Sequence, residues 1–316
     1  MAEAMSQTAV RQLSSPDAVS RLLEATGYIP SPSIAMAVFL AAQLRKPVLI
    51  EGPAGVGKTN LAQSLAQSLS LELFRLQCYE GLDDSKAIYE WKYGKQLLYT
   101  QILREKIRDI VSEKADLKAS LEGLAGFDDV FFSRAFLEPR PLLKAMEAPD
   151  GSVLLIDEID KSEEEFEALL LEVLSDYQIT VPEIGTIRAR TAPLVFLTSN
   201  NTRELGDALR RRCLHLFIGF PDAEREVAIV RSRAPGAPER LLAQLVAFVQ
   251  LIRAQGVRKP PSVSETVDWA RTLMLLNAEQ LDPVLVRETL SVILKRQGDI
   301  EEIHPDVEKL LREAAG

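Results

Sequence analysis

The chain has 316 residues, of which 47% are hydrophobic and 26% charged, a composition typical of a globular protein and unlike that of disordered or fibrous chains. Its 37 basic and 46 acidic residues give a net charge of −9, which argues against general electrostatic attraction to nucleic acid and leaves only a local basic patch for such binding. Two cysteines and two separated histidines predict neither a disulfide framework nor a zinc site.

The amino-terminal residues are polar and lead into no apolar core, and no run of about 18 apolar residues occurs in the chain. We therefore predict no signal peptide, no membrane insertion and a cytoplasmic location. The length favours roughly two domains.

Residues 1–32 are polar and turn-rich, and they form a separate amino-terminal segment in our prediction. Ser33 then caps a predicted helix over residues 33–45, where apolar residues recur at helical spacing. Residues 47–51 are a short apolar run between turn residues, which is typical of a buried parallel strand.

A glycine-rich loop of the Gly-x-x-x-x-Gly-Lys-Thr type follows this strand at positions 52–59. Its backbone N–H groups can surround phosphate oxygens. Lys58 is predicted to reach the β- and γ-phosphates, and Thr59 to bind Mg²⁺. A helical pattern of leucines follows, as this loop requires. The loop predicts that ATP is bound by Gly52, Pro53, Ala54, Gly55, Val56, Gly57, Lys58, Thr59 and Asn60.

Further along the chain, residues 71–76 predict a second strand and residues 95–118 a charged helix. Residues 152–157 form another buried-strand run. Ser162 and Glu165 have the spacing of a capping box, which predicts that a helix begins there.

Two carboxylates end the strand at 152–157. The carboxyl ends of parallel strands are where α/β sheets bind ligands, so Asp157 is predicted to hold Mg²⁺ directly or through water. Glu158 is predicted to orient and deprotonate the water that attacks the γ-phosphate. A solvated acidic turn is the alternative interpretation.

The predicted secondary structure changes from mixed strands and helices to helices alone near residues 219–222. Before them, residues 177–190 predict a β-hairpin, and residues 193–199 and 214–220 predict two more strands. After them the pattern is entirely helical, which predicts an α/β domain over 33–220 and an all-α domain over 221–316. The predicted carboxyl-terminal helices cover residues 222–233, 239–254, 262–277, 283–296 and 305–314.

The loop at 52–59 and the acidic motif at 155–160 together resemble those of the AAA+ ATPases. The resemblance implies a P-loop core, with a parallel sheet sandwiched by helices, followed by an all-α lid. It also identifies Asn200, at the end of the strand 196–200, with their sensor 1, which contacts the attacking water or the γ-phosphate. Asn201 is the nearby alternative, and a simple strand-end cap is the other interpretation.

Three consecutive arginines at 210–212 stand where AAA+ proteins carry an arginine finger, which reaches the ATP of a neighbouring subunit. The register favours Arg212, with Arg211 second. A guanidinium suits this role because it stays charged and can donate two hydrogen bonds at once to phosphate oxygens. A finger implies a homo-oligomer, and the family implies a hexameric ring. A solvated basic edge is the alternative.

Residues 169–180 and 217–222, and the long insertion before Asp157, are similar to those of MoxR-type ATPases. Residues 259–271 are similar to the variant found beside carbon monoxide dehydrogenase maturation genes. This resemblance implies a chaperone that remodels a client protein, such as a maturing metalloenzyme, with a von Willebrand A domain adaptor. The other classes considered are a nucleic-acid motor or loader, a nucleotide-dependent switch without turnover, and a P-loop small-molecule kinase.

One position departs from the MoxR pattern. The stretches 259–261 and 262–264, which match the family's sensor 2, contain no arginine. Arg258, Lys259 and Arg271 remain open as substitutes, and the sequence assigns sensor 2 to none of them.

Overall fold

The computed structural model describes residues 11–102, 131–182 and 184–314. The strands of this part of the chain, numbered in chain order, are β1 (Val48–Glu51), β2 (Glu72–Gln77), β3 (Tyr89–Trp91), β4 (Leu137–Pro139), β5 (Ser152–Asp157), β6 (Gln178–Val181), β7 (Gly185–Arg188), β8 (Leu194–Ser199) and β9 (Leu214–Phe217).

The helices up to the last strand are α1 (Pro16–Glu24), α2 (Pro32–Leu44), α3 (Lys58–Leu69), α4 (Asp84–Ala87), α5 (Tyr93–Ile102), α6 (Pro141–Glu147), α7 (Glu164–Asp176) and α8 (Asp207–Arg212). The later helices are α9 (Ala223–Arg233), α10 (Glu239–Ala254), α11 (Val263–Leu275), α12 (Pro283–Ile293), α13 (Gln297–Ile303) and α14 (Val307–Ala314).

Five strands form one parallel sheet in the order β2-β5-β8-β1-β9. Every residue of β1, β5 and β8 is buried, which explains their continuous apolar runs, since helices cover both faces of a parallel sheet. Because the strands are parallel, β1, β5 and β8 all end at one edge. The predicted α/β core followed by a helical region is confirmed.

The hairpin predicted at 177–190 is also confirmed, with β6 and β7 pairing antiparallel. Two predictions about helix starts are wrong. Ser31 caps α2, its side chain accepting from the backbone N–H of Ile34, because Pro32 suits the first helical position. The Ser162 hydroxyl donates to the carbonyl of Ile159 instead of capping α7.

The amino-terminal stretch contributes buried side chains to the hydrophobic core, which its polar composition did not predict. Ser15 caps α1, and the buried residues Leu13, Val19 and Leu23 join the hydrophobic core of the sheet. A second hydrophobic cluster, which includes Phe248 and Trp269, lies among the helices from α9 onward. The helix predicted at 283–296 ends earlier, at Ile293 of α12, and the sequence did not predict α13, which follows at Gln297–Ile303.

Helix α5 covers the beginning of the helix predicted at 95–118, and the remainder of that prediction lies outside the described residues. Within the described ranges, no helix is both long and apolar enough to cross a membrane. The same ranges contain no cluster of three or more histidine, cysteine or acidic residues that could hold a metal.

Candidate functional site

The loop at 52–59 connects the end of β1 to the start of α3. Gly55 and Gly57 have φ angles of 72° and 94°, a region that glycine adopts without steric strain. Lys58 folds back over the loop, and its Nζ donates to the carbonyl oxygens of Gly52 at 2.6 Å and Pro53 at 2.7 Å. Burial lowers the pKa of Lys58, an effect that the neighbouring carboxylates oppose.

Asp157 ends β5 directly beside this loop and is 3% exposed. The Thr59 hydroxyl donates to its Oδ1 at 3.0 Å, and the Thr198 hydroxyl donates to the same oxygen. Arg75 of β2 contacts Oδ2 through Nη2 at 2.6 Å. A hydroxyl beside a carboxylate is the hard oxygen donor set that Mg²⁺ prefers, so Thr59 and Asp157 fit the predicted metal site.

Glu158 has a φ of 56°, a left-handed conformation that is strained in a residue other than glycine and is typical of functional sites. Its backbone N–H donates to the Thr198 hydroxyl at 2.9 Å. Its carboxylate accepts from Gln77 at 2.8 Å and from Lys161 at 2.7 Å, both through Oε2. With a side chain that is 30% exposed, the carboxylate can accept a proton from water in the adjoining cavity.

Asn200 follows β8 and faces the same cavity. Its Oδ1 accepts from the Lys58 ammonium at 2.7 Å, and its Nδ2 lies 3.4 Å from Oε1 of Glu158. Asn201 is exposed and donates its backbone N–H to the Ser199 hydroxyl. The structure therefore places Asn200, rather than Asn201, between the lysine and the carboxylate.

Asp160 is a site residue to which the sequence reading assigned no role. It is 4% exposed and accepts from the backbone N–H groups of Asn200 and Thr202 and from the Thr202 hydroxyl. Burial raises the pKa of Asp160, but the hydrogen bonds from Thr202 and Asn200 outweigh it and leave the pKa lowered. Asp160 thus fixes the loop that carries Asn200, and its only sequence signal was a third carboxylate in the acidic motif.

The three arginines of α8 differ in their surroundings. Arg210 donates to buried Glu51 at 2.9 Å, and His215 contacts the other oxygen of that carboxylate at 2.7 Å. Arg212 is exposed, and its Nε donates to the Ser175 hydroxyl at 2.7 Å. Arg211 is exposed and makes no hydrogen bond or ion pair with the residues that the structure describes. Arg211 and Arg212 are therefore the accessible members of the run.

Two adjoining cavities of about 320 and 310 Å³ meet at the glycine-rich loop. The first holds the phosphate-loop side chains, and the second lies between the core and the helical region beside Tyr28 and Ile29. Burial raises the pKa of Tyr28 to about 12, so its phenol stays protonated at neutral pH. The residues that line both cavities are Gly55, Gly57, Asn60 and Ser264.

The helical region touches the loop through the start of α11. Ser262 caps this helix in a reciprocal capping box with Glu265. The backbone N–H and the hydroxyl of Ser264 each donate to the carbonyl of Gly55 at 3.3 Å. A Cβ on Gly55 would lie 2.5 Å from the Ser262 side chain, so the two regions are in direct contact here.

The three substitutes for a sensor 2 arginine lie elsewhere. The backbone N–H groups of Arg258 and Lys259 donate to Asp299, away from the loop. Arg271 lines the 310 Å³ cavity and donates to the carbonyl of Arg233 at 2.9 Å. None of the three lines the 320 Å³ cavity, where Ser264 is the residue contributed by the helical region.

Comparisons with known proteins agree with this architecture. The AAA domain of the dynein-related subfamily matches residues 47–213, which is more than half of the chain. An uncharacterised protein of Staphylococcus epidermidis is 26% identical over 242 residues, covering 74% of this chain and 78% of the relative. An uncharacterised protein of Staphylococcus aureus is 24% identical over 238 residues, covering 73% and 76%.

Among solved structures, the RuvB Holliday junction branch migration motor of Thermotoga maritima is similar with a TM-score of 0.42. It is 17% identical, and the match covers 88% of this chain and 71% of that one.

Proposed function

This chain belongs to the AAA domain family, in its dynein-related subfamily, and on that premise we propose that it hydrolyses ATP with Mg²⁺ and uses the energy to remodel a client protein. The observation that carries the ATPase proposal is the meeting of five side chains at one cavity. They are Lys58, Thr59, Asp157, Glu158 and Asn200.

Each of these side chains has a defined task in the proposed reaction. The Lys58 ammonium neutralises phosphate oxygens, and the Asn200 amide, held by Lys58 and Glu158, positions the attacking water. Glu158 accepts the proton of that water. Mg²⁺ held near Thr59 and Asp157 would supply positive charge to the phosphate oxygens.

The ATPase proposal is tested by comparing the wild-type protein with Lys58→Ala and Glu158→Gln. Loss of the buried ammonium is expected to abolish ATP binding. Glu158→Gln is expected to bind ATP but to hydrolyse it about 100-fold more slowly or worse, because the general base is lost. Glu165→Gln, at an exposed carboxylate in the first turn of α7, is the control. Wild-type turnover by Glu158→Gln would refute the assignment of the base.

We also propose that the active form is a homo-oligomeric ring, hexameric by analogy with the family. Its support is the exposure of Arg211 and Arg212 away from both cavities, which suits arginines acting on a neighbouring subunit. Light scattering of the Glu158→Gln protein with and without ATP measures the assembly. A protein that stays monomeric at saturating ATP would contradict the proposal.

The client-remodelling role rests on the MoxR-type resemblance and on its carbon monoxide dehydrogenase variant. The proposed partners are a protein client, such as a maturing metalloenzyme, and a von Willebrand A domain adaptor. Capture with ATP-bound Glu158→Gln, followed by identification of proteins released by ADP, tests this role.

A gel-shift experiment with duplex DNA separates this role from that of a nucleic-acid motor. The net charge of −9 predicts no binding at physiological salt. A salt-sensitive shift at sub-micromolar protein would favour the motor.

A further inference from the structure

Arg75 lines the phosphate-loop cavity, and none of the roles predicted from the sequence explains its position. It lies on β2, the edge strand beside β5, and its guanidinium contacts Oδ2 of Asp157 twice, through Nη2 at 2.6 Å and Nε at 3.1 Å. The Nη2 atom also donates to Gln77 at 2.7 Å. The Arg75 side chain is 48% exposed, whereas that of Asp157 is 4% exposed.

These contacts occupy both oxygens of Asp157. Oδ1 accepts from the hydroxyls of Thr59 and Thr198, and Oδ2 accepts from the guanidinium. A divalent ion that uses Asp157, directly or through a bound water, needs one of these oxygens. The hydroxyls are neutral, and Thr59 can donate to Asp157 while its oxygen lone pair faces a cation. Arg75 is the charged donor, and two positive charges compete for one carboxylate.

We propose that Arg75 is an exchangeable counter-ion of Asp157 that Mg²⁺ must displace to enter the site. This inference rests on the proposed ATPase function, because it assigns Asp157 to the metal. A buried carboxylate without a partner is strongly unfavourable, so the guanidinium stabilises Asp157 whenever the metal is absent. Its exposed side chain lets it leave without disturbing the sheet.

The consequence is selective metal loading. Bare Mg²⁺ does not displace the guanidinium, whereas a metal bound to nucleotide phosphates gains additional ligands and does. The contact therefore couples metal entry to nucleotide entry. A purely structural ion pair between β2 and β5 would show no such coupling.

The first test uses Mn²⁺ alone as the probe, with bound ion measured by electron paramagnetic resonance in the absence of nucleotide. Arg75→Met removes the charge and keeps a long side chain, and it is expected to bind Mn²⁺ about tenfold more tightly than the wild-type protein. Arg75→Lys is expected to behave as the wild type. The double variant Arg75→Met with Asp157→Asn is expected to lose the gain, because the effect passes through Asp157.

Lys161→Met is the matched control. It removes the positive charge that pairs with the neighbouring Glu158 and leaves the contacts of Asp157 in place. It is therefore expected to leave Mn²⁺ binding unchanged. A gain in Lys161→Met equal to that in Arg75→Met would mean a general electrostatic effect and overturn the proposal. Circular dichroism melting checks that each variant is folded.

The second test measures ADP affinity by calorimetry with Mg²⁺ and with a chelator, which avoids turnover. The ratio of the two affinities is expected to be about fivefold larger in Arg75→Met than in the wild type, because Mg²⁺ no longer has to displace a cation. An unchanged or smaller ratio would overturn the proposal and leave Arg75 as a positioning or structural residue. Since the Mn²⁺ test contains no nucleotide, it remains informative even if the chain proves not to hydrolyse ATP.

Discussion

The two sides of the nucleotide cleft are built from different chemistry. The core side presents charges that the phosphate loop and the strand ends bring together, with Lys58, Asp157 and Glu158 at its centre. The helical side meets the same loop through Ser262 and Ser264, which contact Gly55 by packing and hydrogen bonds. In the cavity at the phosphate loop, the core thus supplies the charges, and the helical side supplies steric contact and hydrogen bonds.

The position of those serines depends on a buried ion pair. Glu226 of α9 is fully buried and accepts from Arg253 of α10 at 2.6 and 2.7 Å and from Thr266 of α11 at 2.8 Å. Arg253 also donates to the carbonyl of Pro261, which immediately precedes Ser262. Helices α9, α10 and α11, and the residue before the cap of α11, are therefore held by one carboxylate and one guanidinium.

The largest effect is expected from removing a charge that a neighbouring subunit supplies to the nucleotide. If Arg212 reaches the neighbouring nucleotide, Arg212→Ala is expected to bind ATP normally and to lose roughly 10³-fold or more in turnover. Arg211→Ala is expected to show a smaller loss. Arg210→Ala serves as the contrast, because Arg210 is paired with Glu51 and its loss should lower thermal stability instead.

Subunit mixing decides whether the effect of Arg212 crosses an interface. Lys58→Ala and Arg212→Ala are each expected to be inactive alone. Mixed, they should recover part of the activity, because some interfaces combine an intact loop with an intact arginine. Absence of recovery in mixtures whose assembly is verified by light scattering would leave the arginine run as a structural edge.

The second prediction concerns the ion pair on the helical side. Glu226→Gln leaves Arg253 buried with a neutral partner, and it is expected to lower the free energy of unfolding by about 3–5 kcal/mol. The double variant Glu226→Gln with Arg253→Met removes the stranded charge and should recover part of that loss. Urea denaturation measures both. A change below about 1 kcal/mol would mean that the pair behaves as a surface salt bridge.

The sequence was sufficient to predict the core side and insufficient for the helical side. Lys58 and Asp157 belong to motifs in which each residue type and spacing has a direct chemical reason. The contact of Ser264 with Gly55 joins residues 209 positions apart, and serine carries no pattern that marks such a contact. Asp160 and Arg75 were missed for the same reason, since their partners are distant in the sequence. Asp160 accepts from Asn200 and Thr202 in the loop after β8, and Arg75 donates to Asp157 of β5.

The amino-terminal region illustrates another limit of sequence reading. Helix α1 has only nine residues, and Val19 and Leu23 are its two buried side chains. Such a short pattern is weak evidence for a helix. What makes the helix stable is packing against the core, which a local pattern does not contain.

The third prediction tests the steric contact directly. Gly55→Ala places a methyl group 2.5 Å from Ser262 and strains a φ of +72°, and it is expected to weaken ATP binding about tenfold by displacing the start of α11. Gly81→Ala is the matched control, because Gly81 has a φ of +76° with no atom near its Cβ position. If Gly81→Ala weakened ATP binding equally, backbone strain rather than the contact with Ser262 would be responsible.

The smallest effect is expected for Ser264→Ala, which tests whether Ser264 only contacts the loop or also takes part in catalysis. Ser264→Ala removes the hydroxyl bond to Gly55 but keeps the backbone bond at 3.3 Å, so ATP affinity should fall only about twofold to fivefold, in line with roughly 0.5–1 kcal/mol for one hydrogen bond. Turnover at saturating ATP should be unchanged, because the hydroxyl supports the loop and not the reacting atoms. Ser291→Ala, at an exposed serine of α12, is the control. A fall in saturated turnover of about 100-fold or more would place Ser264 in contact with the reacting phosphate, and the division between a charged core side and a contacting helical side would then fail.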